Sequence, residues 1–181
     1  MSNLFLRHGE VQNEKDIFYS NLPGFYLSNN GRAQAQEAGK KIKEQFDIKK
    51  IVSSPLLRAR QTAEIVNTVL KINITTSYNI IEWAGPVDWI GKTWDEIKIT
   101  DNFTNADSPL NLTNTGESLK SVHDRVKKVY EKFENTLFVT HQDVIRAFTY
   151  YYLKDKDFWK NRPDHCEVQF LKNSKTIKFV G

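Results

Sequence analysis

Leu4-Phe5-Leu6-Arg7-His8-Gly9-Glu10 begins with three consecutive apolar residues and ends in a polar turn. That pattern predicts a short strand buried on both faces. In an open α/β sheet, ligands bind beyond the carboxyl ends of the strands, so Arg7 and His8 stand where a reactive group belongs. An imidazole beside a guanidinium suits an anion, most simply a phosphate, because the guanidinium fork matches phosphate oxygens. The triplet alone is equally compatible with a strand-end histidine that caps a turn. The rest of the chain has to decide.

A loop over 11–27 follows, carrying Asn13, Tyr19, Phe25 and Pro23-Gly24. Ser28-Asn29-Asn30-Gly31 is a helix-capping turn. Ala35, Ala38, Gly39, Ile42 and Phe46 then share one face of a helix over 32–46. Residues 49–53 read as a second strand. Ser54-Pro55 opens a second helix over 56–71, with proline in its first turn. An extended stretch over 72–81 leads to Glu82. Residues 82–115 carry little regular pattern beyond a short helix at 94–99, and a long loop of this kind reads as the wall and lid of a pocket. Leu119, Val122, Val126, Val129 and Phe133 mark a strong helix over 116–134. The strand 136–140 ends at His141, as the first strand ends at His8. A helix over 142–153, with Ile145, Phe148 and Tyr152 inward, and a hairpin across Asn173-Ser174 close the chain. Strands alternating with helices predict a three-layer α/β sandwich around a mostly parallel sheet, as a single domain over 1–181.

Composition narrows the function classes. The chain has 181 residues, 39% hydrophobic and 27% charged, which is ordinary for a globular protein. No apolar run reaches the roughly 20 residues that span a bilayer. The N-terminus lacks the pattern of a signal peptide and Cys166 is the single cysteine, so a reducing, cytoplasmic setting is expected. The net charge of +4 is modest and scattered. It predicts no nucleic-acid stripe, but a weak positive field that collects small anions. His165 and Cys166 have no further ligands at metal-site spacing, so no metal and no cofactor are expected.

Three more segments join the first. Ser53-Ser54-Pro55-Leu56-Leu57-Arg58-Ala59-Arg60 ends a strand and starts a helix that carries Arg58 in its first turn. Gly116-Glu117-Ser118 and Arg125-Val126 precede Leu137-Phe138-Val139-Thr140-His141. Together with Arg7-His8-Gly9-Glu10, these segments resemble, in order and at strand ends, the signatures of the histidine phosphatase superfamily, whose members include the phosphoglycerate mutases. The resemblance runs from residue 4 to about residue 148 and implies the phosphoglycerate mutase-like fold.

It also implies roles. Arg7 and Arg58 would hold the phosphoryl oxygens, and His8 would attack phosphorus as a neutral imidazole. His141 would stabilise the developing charge. Glu82, in Glu82-Trp83-Ala84-Gly85, resembles the segment that carries the family's general acid, with Asp88 in reserve. Two positions depart from the common pattern. Glu14 stands where the family has a phosphate-binding Asn, and Asn13 precedes it, so either a tighter loop lets Asn13 bind phosphate or that contact is lost. Gly9-Glu10-Val11 with Leu22-Pro23-Gly24-Phe25 resembles a bacterial subgroup and favours the first. Gln142 replaces a glycine after His141, where only a backbone N–H at a helix N-terminus has to face phosphate. His123, Arg32, Arg60 and Glu10 read as structural or surface residues. Tyr19, Phe25, Trp89 and Trp94 read equally as pocket lining or core.

The expected activity is metal-independent hydrolysis of a small phosphorylated metabolite through a phosphohistidine on His8. The rivals are mutase-type phosphoryl transfer, a protein phosphohistidine phosphatase and a non-catalytic phospho-ligand module.

Overall fold

The computed structural model describes residues 3–104, 109–154, 157–158, 161–172 and 175–179. Four strands run parallel: β1 (Leu4–Arg7), β2 (Lys50–Ser53), β3 (Asn73–Thr76) and β4 (Thr136–Thr140). Two more, β5 (Val168–Lys172) and β6 (Lys175–Phe179), are antiparallel to their neighbours. The order across the sheet is β3-β2-β4-β1-β5-β6. The expected hairpin is present, and its tip at Asn173-Ser174 lies outside the described residues.

Side chains alternate across a strand, so each short strand feeds two cores. Leu4, Leu6, Ile51, Leu137 and Val139 point to one face. There they meet Ala35, Ala38 and Ile42 of α1 (Asn29–Gln45) and Ala59, Ala63 and Val66 of α2 (Leu57–Leu70). Phe5, Val52 and Phe138 point to the other face. There they meet Val122, Val126 and Val129 of a helix over Leu119–Tyr130 and Val144, Ile145 and Phe148 of a helix over Gln142–Leu153. Each of the leucine, isoleucine, valine and phenylalanine side chains buried fully here stabilises the fold by about 1.5–3 kcal/mol. The result is a helix–sheet–helix sandwich, the three-layer α/β arrangement expected from the sequence.

α1 and the 119–130 helix begin where a serine side chain caps them. Ser28 Oγ accepts from Gly31 N at 2.9 Å and Ser118 Oγ from Ser121 N at 3.1 Å. The wall segment holds α3 (Trp94–Lys98) and α4 (Asp101–Thr104), so the helices over 119–130 and 142–153 are α5 and α6. Thr93 and Glu96 form a capping box on α3. Isolated bridges Val11–Leu27, Ile17–Thr93 and Pro86–Thr115 tie the 11–27 loop and the wall together.

Two expectations need correction. The third extended stretch is strand only over Asn73–Thr76, and a 3-10 turn at Tyr78–Ile80 separates it from Glu82. Tyr152 is 42% exposed, because it lies at the last turn of α6 where the apolar stripe runs off the sheet. No helix among the described residues is long and apolar enough to cross a membrane.

Candidate active site

Parallel pairing of β1 with β4 brings two histidines together at the strand ends. His8 N donates to Thr140 O at 2.9 Å, and the rings of His8 and His141 lie 5.2 Å apart. Two glycines permit the approach of the chain on the other side. A Cβ on Gly9 would stand 2.5 Å from Gly31 O, and one on Gly31 would stand 2.1 Å from Glu10 O. The turn after His8 therefore rests directly on the first turn of α1.

His8 Nδ1 donates to Gly9 O at 2.8 Å, which assigns the proton to Nδ1 and leaves Nε2 with its lone pair. Burial and then the charges of Arg58 and Arg7 hold its pKa well below the usual histidine range. The imidazole is neutral at physiological pH.

Arg58 sits in the first turn of α2 and is 1% exposed. Its guanidinium donates to Ser20 O at 2.6 Å and to Leu22 O at 3.2 Å, with the Tyr19 ring 4.8 Å away. Arg7 donates to Pro163 O at 2.9 Å and meets His165 Nε2 at 2.9 Å. The outer nitrogens of both forks are thus engaged, while Arg7 Nε and Arg58 Nε are buried without a partner. His141 Nε2 lies 2.7 Å from Ser54 Oγ. With Ser54 as donor, the proton of His141 is on Nδ1, which is also buried without a partner. Buried donors without acceptors are rare, and Arg7, Arg58 and, in that tautomer, His141 each hold one beside the His8 segment.

Glu82 Oε2 is 3.8 Å from His141 Nδ1. Burial first, and Asp143 second, push the Glu82 pKa up to about 8. Its other oxygen accepts from Trp83 N at 2.8 Å. The Glu117–Arg125 pair holds this segment in place. Arg125 binds both Glu117 oxygens at 2.7 and 3.0 Å and donates to Asn79 O at 2.9 Å. Trp83 Nε1 donates to Glu117 O at 2.9 Å. Ser20 Oγ, which donates to Trp83 O at 2.7 Å, joins the same segment to the loop over Arg58.

The structure therefore gathers Arg7, His8, Arg58, Glu82 and His141. Gln142 is the first residue of α6, directly after its N-cap His141. Asn13 differs from expectation. Its Nδ2 donates to Ile17 O at 2.9 Å and its Oδ1 accepts from Ile17 N at 3.2 Å, so the amide closes a turn in its own loop. Asp88 meets Asn102 Nδ2 at 3.3 Å within the wall. Tyr19 stacks on Phe25 beside Arg58, whereas Trp89 and Trp94 pack on Phe18 in the wall. His123 is buried against Phe148, Glu10 accepts from Ser28 and Asn30, and Arg60 pairs with Glu64 on the surface.

Four residues at the site escaped the sequence reading: Ser20, Ser54, Asp143 and His165. Ser54 lay inside a recognised motif and could have been found. The other three have no local signal. Among the described residues no three His, Cys, Asp or Glu side chains are grouped so as to hold a metal ion.

The chain is similar to several known proteins. The chain is 30% identical over 159 residues to the 2,3-bisphosphoglycerate-dependent phosphoglycerate mutase of Thermoplasma acidophilum, covering 83% of this chain and 76% of that one. It is 39% identical over 79 residues to an uncharacterized protein of Mycobacterium tuberculosis, a match covering 44% of this chain and only 39% of that one. The fold is shared with phosphoserine phosphatase of Entamoeba histolytica, solved with 3-phosphoglyceric acid, at a TM-score of 0.79 and 23% identity over 94% of this chain and 90% of that one. The model of the histidine phosphatase superfamily, branch 1, matches residues 4–176, and the chain belongs to that superfamily.

Proposed function

We propose that the protein is a metal-independent phosphomonoesterase acting on a small phosphorylated metabolite through a phosphohistidine on His8. The observation that carries this reading is a neutral His8, with its lone pair on Nε2, whose neighbours Arg7, Arg58 and His141 each keep a buried nitrogen without a partner. A phosphoryl group offers acceptors to all three donors, and its charge spreads over the same oxygens in the transition state.

In the first step His8 Nε2 forms a bond to phosphorus and the bond from phosphorus to the leaving oxygen breaks. Glu82, protonated below pH about 8, gives its proton to that oxygen. In the second step the Glu82 carboxylate takes a proton from water, whose oxygen attacks phosphorus. The bond to His8 breaks, phosphate departs, and both side chains return to their starting forms. The names of the phosphatase and mutase relatives agree with a small phosphorylated substrate.

The test is acid-quenched mass spectrometry after mixing with an aryl phosphate. A phosphoryl group on His8, absent from His8→Ala, is expected, with hydrolysis insensitive to a strong chelator. Turnover retained in His8→Ala would remove the nucleophile. The similarity to a mutase favours one second reading, transfer between hydroxyl groups of a phosphoglycerate. Incubation with 3-phosphoglycerate and 2,3-bisphosphoglycerate separates the two, since hydrolysis releases inorganic phosphate and transfer releases 2-phosphoglycerate.

A further inference from the structure

His165 is the third histidine at this site, and its ring lies 5.7 Å from that of His8. A tight turn directly before β5 carries it. Glu167 N donates to Asp164 O at 3.1 Å, Asp164 N donates to the Glu167 carboxylate at 3.2 Å, and Cys166 takes a positive φ of 55°. The turn is fastened to the end of β1, since Cys166 N donates to Arg7 O at 3.1 Å and Val168 pairs with Leu6. Sheet pairing, rather than any loop, sets His165 beside Arg7.

The contact between them has one chemical reading. Arg7 Nη2 and His165 Nε2 are 2.9 Å apart. A guanidinium has five donors and no acceptor, so His165 Nε2 accepts and the imidazole is neutral with its proton on Nδ1. Burial and the Arg7 charge hold the His165 pKa at about 4, against the opposite pull of Glu10 and Asp164, which agrees with that assignment. Pro163 O takes a second Arg7 donor at 2.9 Å. One short segment therefore grips both outer nitrogens of the fork. Because the fork is planar and rigid, gripping its outer nitrogens aims the donors that remain, among them the buried and unpartnered Nε.

We propose that His165 is a positioning residue for the phosphoryl-transfer reaction: its Nε2 orients the Arg7 guanidinium so that the free edge meets the phosphoryl oxygens at His8. The assignment rests on the function proposed above. It distinguishes His165 from a side chain that only fills space, because space needs bulk whereas Arg7 needs an acceptor at one point.

The experiment compares His165→Leu with His165→Gln, whose side-chain oxygen can take the place of Nε2. Two readouts are used: kcat and KM for an aryl phosphate, and orthovanadate affinity by calorimetry. His165→Leu is expected to lower kcat/KM about tenfold or more, the range for a lost hydrogen bond to a charged group, and to weaken vanadate by a similar factor. His165→Gln is expected to recover most of both losses. In an Arg7→Lys background, His165→Leu is expected to add little, since the fork it orients is gone. Equal losses in the Leu and Gln variants, no loss in either, or a full additional loss in the Arg7→Lys background would each overturn the proposal. Wild-type protein that binds vanadate but hydrolyses no aryl phosphate would sink the function proposed above, and the vanadate arm would still report on His165.

Discussion

Glu82 Oε2 and His141 Nδ1 lie 3.8 Å apart, yet at neutral pH this is a contact between two uncharged groups. Burial pushes the carboxyl up to about 8 and holds the imidazole well below its usual range, helped by the charge of Arg58. A charged pair here would have to offset the desolvation of both buried ions. Keeping both neutral leaves the proton on the acid that needs it.

Glu82→Gln is expected to slow hydrolysis of alkyl phosphates at least about a hundredfold and of aryl phosphates much less. General acid catalysis matters in proportion to how poor the leaving group is. The pH profile of the wild type on an alkyl phosphate should fall above about 8, as Glu82 loses its proton, and the variant should lose that limb. Steady-state kinetics on both substrates checks this. Equal losses on both would assign Glu82 a structural role.

The same substitution is expected to stabilise the fold at neutral and alkaline pH. The native state binds a proton on Glu82 up to about 8, while the unfolded carboxyl releases it near 4.5. Stability therefore falls as pH rises through that window. Gln cannot ionise and its oxygen can still accept from Trp83 N. Thermal melts should show Glu82→Gln a few degrees above wild type at pH 8, with the difference closing near pH 4.5.

Gly31→Ala is expected to lower stability and activity together. Its methyl would stand 2.1 Å from Glu10 O, a backbone atom that cannot swing aside. Overpacking of this kind costs about 1–3 kcal/mol, or roughly 5 °C in a chain of this size. The displaced Gly9-Glu10 backbone carries His8 with it, so kcat should fall as the melting temperature does.

Arg125→Leu tests the support of the acid. Removing the guanidinium frees Glu117 and the Asn79 carbonyl and loosens the segment that holds Glu82. The expected loss is about tenfold in kcat on alkyl phosphates, with KM little changed, since phosphate binding is elsewhere. A rise in KM with unchanged kcat would contradict it.

The order of strands and helices and the strand-end positions of His8 and His141 were legible in the amino-acid sequence. Each follows from a pattern within a dozen residues: three apolar residues in β1, a capping serine before α1, an apolar face along α5. Such patterns act through local sterics and burial, which the chain carries in itself. The structure alone decided the rest. Asn13 proved to close its own turn because Ile17 lies within reach of its amide. Glu82 holds its proton because β4, α6 and the Glu117–Arg125 pair enclose it. His165 reaches Arg7, 158 positions away in the sequence, because β5 pairs with β1. Desolvation and contact between distant segments arise only when the sheet has assembled, and no local pattern encodes them.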